Sequence, residues 1–337
     1  MILGFDVGGS KISMFLSDRD GNILKRSRVR TPDFKRPEDL IEQIVKMSND
    51  AEHSAPSEIE TVSVVFAGAV DGKKGIIRSS PNLFGGMEIP LSDILEDILK
   101  KTVYIENDAT ATAISEKIFG NGKAFSNFIY LTLSTGIGGG IFMNNRVYRG
   151  ATGMAGEFGH MVVDPDGPLC GCGRRGCFES VAGGKAAVRI MDSLKAYERS
   201  GCLQKIPREQ VEAKEIFECA ENGDLVSMEV VASLTKNMEE GIASLINLFD
   251  PEAVMIGGGL SNSRKLVFDE IVKNAPKMMA TMEREVKFFR TSQVTVELSP
   301  MAVVLYEEEI PGFNIERIIK EMKERIALAR ERKEAYK

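Results

Sequence analysis

No run of residues in this 337-residue chain is apolar for long enough to span a bilayer, so a helical membrane protein is excluded. The opening MILGFDVGGSK has neither the basic start nor the apolar stretch of a secretion signal and reads as a strand that begins at once. Both absences point to the cytosol. Basic charge is short as well: 43 Lys and Arg face 49 Asp and Glu, a net charge of −6. Binding to phosphate backbones needs a basic face, so nucleic acid is not expected as a partner, and neither is a membrane. Tryptophan is absent, which excludes nothing. Histidine occurs twice and cysteine five times. In a reducing compartment, close-set cysteines read as metal ligands or redox groups before disulfides, and the odd total agrees.

What is present suits a two-domain α/β protein. A strand at 2–7 ends on Gly8-Gly9-Ser10, an alternating segment follows at 11–16, and Asp20-Gly21-Asn22 turns the chain into a third strand at 23–29. Helical spacing covers 38–51. Strands are expected at 62–66 and 103–105, and Asp108 opens an alanine-rich helix that stops near Gly120. The pattern then restarts: a strand at 128–133, a glycine-rich turn at 134–140, a strand at 141–143, an Asn144-Asn145 turn and a strand at 147–148. A strand at 253–256 runs into Gly257-Gly258-Gly259 much as 64–68 does in the first half. Each half thus holds a strand–turn–strand–turn–strand unit and a later strand ending on glycine, a duplication of topology without a fixed sequence period.

The turns DVGGSK (6–11) and STGIGGG (134–140) lack the spacing of a P-loop, and no helix opens after them as in a dinucleotide fingerprint. Glycine does let backbone N–H groups approach an anion, so paired turns across a cleft suit successive phosphates. Asp6 would suit a Mg2+ through water, or simply cap its turn. Lys11 reads equally as a solvated strand residue, and the helix expected from Ser261 would present its N-terminus to nucleotide. Asp108, between a strand and a helix, is either an N-cap or a general base for phosphoryl transfer; the local sequence leaves both open.

His160 precedes Cys170, Cys172 and Cys177 in GEFGHMVVDPDGPLCGCGRRGCFE, residues 156–179. One imidazole and three thiolates, with glycines at 171, 173 and 176 for tight turns, make a closed structural zinc set; the alternative is a group of buried or redox thiols. A histidine bound through one ring nitrogen keeps the other free. A metal-fixed loop would therefore bring Glu157, His160 and Glu179 together, which suits hydrogen bonding to a polyol. Cys202 and Cys219 fall in helical patterns and read as core thiols.

DVGGSK, the END of 106–108, LSTGIGGG and GEFGH…CGCGRRGCFE together resemble the ROK family of sugar kinases, over residues 1 to about 259. The resemblance implies a two-domain actin-like (ribonuclease H-like) ATPase fold, with duplicated mixed-sheet domains and an interdomain cleft. It also implies phosphorylation of a hexose, usually at the 6-hydroxyl, with ATP and Mg2+. Glucokinase-like members fit best. N-acetylglucosamine or N-acetylmannosamine kinases come next, then fructokinases; a sugar-responsive repressor is a rival, although DNA-binding members carry a preceding helix-turn-helix. By the same resemblance Asp108 would be the catalytic base, and Asn82, Asn107, Glu157, His160 and Glu179 would line the sugar. Nucleotide and Mg2+ would meet Asp6, Gly8, Gly9, Ser10, Lys11, Thr135, Gly136, Gly138, Gly258 and Gly259, and zinc would take His160, Cys170, Cys172 and Cys177. A homodimer or tetramer is expected. So are domains at 1–113 and 114–304, the C-terminal segment 305–337 packing on the first.

The chain departs from the family in three places. Ala69 stands where proline is frequent, and Ser134 where glycine is. SPMAVVLYEEEIPGF (299–313) and a charged amphipathic helix over 314–337 replace a Gly/Ala-rich helix near the nucleotide. In that helix Ile315, Ile318, Ile319, Met322 and Ile326 form the apolar face.

Overall fold

Alternation along strand β1 (Ile2–Val7) sends Leu3, Phe5 and Val7 into one apolar layer and Ile2 into another, so the strand is buried on both faces. Such a strand belongs at the centre of a sheet. β2 (Lys11–Ser17) returns antiparallel beside it, with β3 (Ile23–Arg30) antiparallel outside that. Helix α1 (Pro37–Glu52) leads to β4 (Thr61–Phe66), and a small hairpin of β5 (Ala69–Asp71) and β6 (Ile76–Ser79) follows. Helix α2 (Leu91–Leu99) leads to β7 (Thr102–Asn107). The first sheet runs β3-β2-β1-β4-β7, the last three strands parallel. This computed structural model describes residues 1–31, 34, 36–80, 86–278 and 285–309. Asn82 and the expected helix over 314–337 lie outside the described residues.

After α3 (Asp108–Ile118) the second half repeats the scheme with β8 (Phe128–Leu133), β9 (Ile137–Met143), β10 (Arg146–Val147), β11 (Ala253–Gly257) and β12 (Lys287–Arg290). Its order, β10-β9-β8-β11-β12, has the same two antiparallel and two parallel pairings as the first sheet. The duplication expected from the sequence is therefore present in the topology. Helices α1 and α2 cover one face of the first sheet. The outer face of the second carries α4 (Phe178–Ala182), α5 (Gly184–Ser193), α6 (Ala196–Arg199), α7 (Ala213–Glu221), the long α8 (Leu225–Phe249) and α9 (Asp269–Asn274). After α10 (Gln293–Glu297) the chain returns in α11 (Ser299–Glu309), which packs on α3, β1 and β4. Helices α3 and α11 thus lie between the two sheets.

Three expectations need correction. The glycine stretch 134–140 is a turn only as far as Gly136, because β9 begins at Ile137. Glycines in that strand serve packing: a Cβ on Gly140 would lie 2.5 Å from the Ala113 Cβ and 2.9 Å from the Ala109 carbonyl, so α3 rests directly on the strand. No regular helix starts at Ser261; Gly258, at φ +88°, feeds a single 3-10 turn over Gly259–Asn262. Cys202 and Cys219 are not separate core thiols but a disulfide across 17 residues, Cα–Cα 5.8 Å, that ties α7 to the turn after α6. Closing a loop of that length restricts the unfolded chain by about 3 kcal/mol. Cys202→Ser is thus expected to lower the thermal midpoint to that of the wild type treated with a metal-sparing reductant; equal midpoints in all three samples would remove the bond's contribution.

Candidate active site

Strand β7 ends on Glu106 and Asn107, and α3 starts at Asp108. Asn107, not Asp108, caps the helix: its Oδ1 accepts the Ala109 and Thr110 N–H groups, each at 3.0 Å. Its Nδ2 donates to the Gly68 carbonyl at 3.0 Å and to Asp108 Oδ1 at 3.1 Å. The capping role open to Asp108 on sequence is thus filled by its neighbour. Asp108 also accepts the Ala109 N–H at 2.8 Å and turns into a cavity between the two sheets. Burial pushes its carboxyl up to about 6; the Ala109 N–H pulls it down, and the charges of Asp6 and Glu157 push it up further. A carboxyl held there is poised to take a proton near neutral pH.

That cavity, about 400 Å3, is lined by Asn107, Asp108, Glu157, His160 and Glu179. Five of the six residues expected around the sugar are therefore together. Glu179 reaches it from α4, its Oε2 accepting the Ile137 N–H at 3.2 Å. Burial raises the Glu157 carboxyl, which His160 counters and Glu179 reinforces. Asp6, at the end of β1, is also raised by burial, with Lys11 and Arg28 opposing.

His160 sits at the end of a 3-10 turn, Phe158–His160, and its two ring nitrogens face different ways. Nε2 lies 3.9 Å from Glu157 Oε2, on the cavity side. Nδ1 lies 3.7 Å from Cys170 Sγ, and Cys172 Sγ is 3.6 Å from Cys177 Sγ. One ligand atom from each of these four residues lies within 4.8 Å of all the others. A tetrahedron of ~2.3 Å metal–sulfur bonds separates its corners by ~3.8 Å, so the donor set and its spacing fit zinc.

A second cavity, about 770 Å3, opens beyond the 134–136 turn. Ser134 and Thr135 form its inner end, α5 gives Lys185 and Val188, and α7 gives Phe217. Leu260 completes an apolar wall, with Gly259 and Asn262 beside it. Gly136 and Gly138 line the first cavity instead, so this turn divides the two. Residues 8–11 line neither. The α5 and α7 residues were missed from the sequence: they are spread over 185–221 with no motif spacing, and only the fold assembles them.

The ROK family profile matches residues 2–297. A glucokinase of Thermotoga maritima is 36% identical over 270 residues, covering 79% of this chain and 84% of that protein. One from Streptomyces coelicolor is 38% identical over 279 residues, 81% of this chain and 86% of its own length. Among solved structures, a ROK glucokinase from Streptomyces griseus in complex with glucose and AMPPNP superposes with a TM-score of 0.75 at 32% identity, over 90% of this chain and 97% of that one.

Proposed function

The chain belongs to the ROK family, and on that premise we propose that this sugar kinase is a glucokinase, transferring the γ-phosphoryl group of ATP to the 6-hydroxyl of glucose. The observation that carries the reading is Asp108: a carboxylate relieved of capping, pushed up to about 6, in a cavity it shares with Glu157, His160 and Glu179.

In this reading the sugar occupies the smaller cavity, with Glu157, His160 Nε2 and Glu179 accepting from or donating to its hydroxyls. The adenosine part of ATP lies in the larger cavity, its base against Phe217 and Leu260. Its phosphates run over the 134–136 turn toward Asp108. As the 6-oxygen forms its bond to the γ-phosphorus, the Asp108 carboxylate takes the hydroxyl proton and ADP leaves with the electrons of the broken P–O bond. Asp6, a hard oxygen donor close enough to raise Asp108, would hold Mg2+ through water, and the ion would neutralise phosphate charge. His160 Nδ1 and the thiolates of Cys170, Cys172 and Cys177 would hold zinc, whose contribution is structural. Among the described residues no helix is long and apolar enough to cross a membrane, and a cytoplasmic setting is part of the same proposal.

A coupled assay with ATP and glucose, N-acetylglucosamine, N-acetylmannosamine or fructose tests the reading. Glucose is expected to give the highest kcat/KM. An N-acetylhexosamine outranking it would replace glucokinase by an N-acetylhexosamine kinase on the same site.

A further inference from the structure

We propose that Arg149 is a positioning residue for this phosphoryl transfer, locking the loop that carries Glu157 to the end of β7, from which the chain passes directly into Asp108. The proposal rests on the kinase reading of the cavity.

Arg149 follows β10 and is almost fully enclosed, its side chain 9% exposed. Its Nε donates to Glu106 Oε2 at 2.6 Å, and its Nη2 donates to Glu307 Oε1 on α11 at 2.5 Å. The Tyr306 ring lies 5.8 Å from the guanidinium carbon, and the Tyr306 hydroxyl accepts the Val147 N–H at 2.9 Å. One guanidinium therefore joins the first sheet, the returning helix and the root of the sugar loop. Arginine's planar fork can bridge two carboxylates in fixed directions, which a lysine ammonium cannot.

Each end of this bridge leads straight to the chemistry. Glu106, 2% exposed, has its other oxygen on the Asn107 N–H at 2.9 Å, and Asn107 orients Asp108. A Cβ on Gly72 would come within 3.1 Å of the Glu106 carboxylate, so the chain leaving β5 closes its remaining side. On the loop side, the Arg149 carbonyl accepts the Ala155 N–H at 3.2 Å. Residues 153–157 then line the sugar cavity, with Gly153 at φ +85° against the Val70 and Asp71 backbone. A loop rich in such glycines has much conformational freedom to lose, and its root is where a single buried contact can limit it.

An ion pair that merely supported folding would affect stability alone. A clamp between base and sugar loop makes a different pattern. Arg149→Lys keeps a buried positive charge, so the fold survives, but it cannot span Glu106 and Glu307 together. It is expected to raise the glucose KM and lower kcat by roughly tenfold or more each, since small misplacements at a reacting centre carry large rate penalties. The ATP KM should stay within about twofold, because the larger cavity contains none of these residues. Glu106→Gln with Arg149→Met removes the buried pair, leaves the one-third-exposed Glu307 carboxylate to solvent, and is expected to hold a thermal midpoint close to wild type while keeping the raised glucose KM. Recovery of midpoint and glucose KM together in the double variant, or a wild-type glucose KM in Arg149→Lys, would overturn the clamp. A wild type silent on every hexose would instead refute the kinase reading.

Discussion

Replacing Asp108 by asparagine is expected to lower kcat by roughly 10^3-fold, within the range for loss of a general base, while leaving sugar affinity within a few-fold. The substitution is clean because of what Asp108 does not do. Helix α3 is capped by Asn107, and an amide at 108 keeps an acceptor oxygen for the Ala109 N–H. Stability supplies the control. Burial raises the Asp108 carboxyl to about 6 from the usual 3.8, so the unfolded chain releases this proton more readily than the native one. Ionisation therefore costs the native state stability progressively as pH rises from about 4 to about 6, and that cost persists above. The asparagine variant should melt no lower than wild type at pH 7–8, so lost turnover cannot be ascribed to unfolding. The same carboxyl sets the acid limb: wild-type kcat/KM should climb with pH through about 6, since the protonated form cannot accept the hydroxyl proton, and the limb should vanish from the variant's residual activity. Near-wild-type turnover by the variant, or a limb that survives in it, would place the base elsewhere.

Much of this arrangement could be read from the chain because its signals are local. Strand β8 is found over 128–133 as expected, with Ile129, Leu131 and Leu133 facing one core and Phe128 and Tyr130 the other. The Asn144-Asn145 turn was equally plain, and both residues adopt positive φ. The clustering of His160 with Cys170, Cys172 and Cys177 was legible from chemistry and spacing alone. Failures came wherever a residue answers to something distant. Gly139 and Gly140 look like more of a phosphate turn, yet they are strand residues cleared for Phe158 and α3. Cys202 and Cys219 each fit an apolar pattern; their bond depends on how α7 lies against the preceding turn. Which of Asn107 and Asp108 caps α3 was not legible locally; it is Asn107 that holds the Ala109 and Thr110 N–H groups. Glu106 and Arg149 carry no motif linking them, since they stand 43 positions apart and only the sheet-to-loop packing brings them together.

Cys172→Ser should lose bound metal, lower the thermal midpoint and raise the sugar KM in one step. The segment between His160 and Cys177 has almost no regular structure of its own: among its described residues the isolated bridges are Val162 with Cys177 and Leu169 with Arg175. Leu169 is 62% exposed, and the loop's apolar anchors are Met161 and Val163, packed on the second core near its start. Turn hydrogen bonds, such as the Val163 N–H to the Gly176 carbonyl at 2.8 Å and the Cys170 N–H to the Arg174 carbonyl at 2.7 Å, fold it, and they gather the four possible ligands, with Cys170 and Cys177 buried and Cys172 at the surface. Because Cys172 is exposed, serine there disturbs no packing, and any effect reports on ligation. Structural zinc contributes about 10–16 kcal/mol in small zinc-binding peptides, which sets a ceiling for what the cluster supplies here. The kinetic consequence follows from His160, whose Nδ1 faces the thiols while Nε2 faces Glu157. A ring no longer fixed by a metal leaves the sugar cavity without one of its walls, so the glucose KM should rise well beyond the ATP KM. Metal analysis, thermal unfolding and both KM values on the variant, beside wild type stripped with a chelator, give the comparison. A variant with full zinc content would dismiss this ligand set. Stripped wild type that keeps its glucose KM would show that the metal holds the loop without shaping the sugar site.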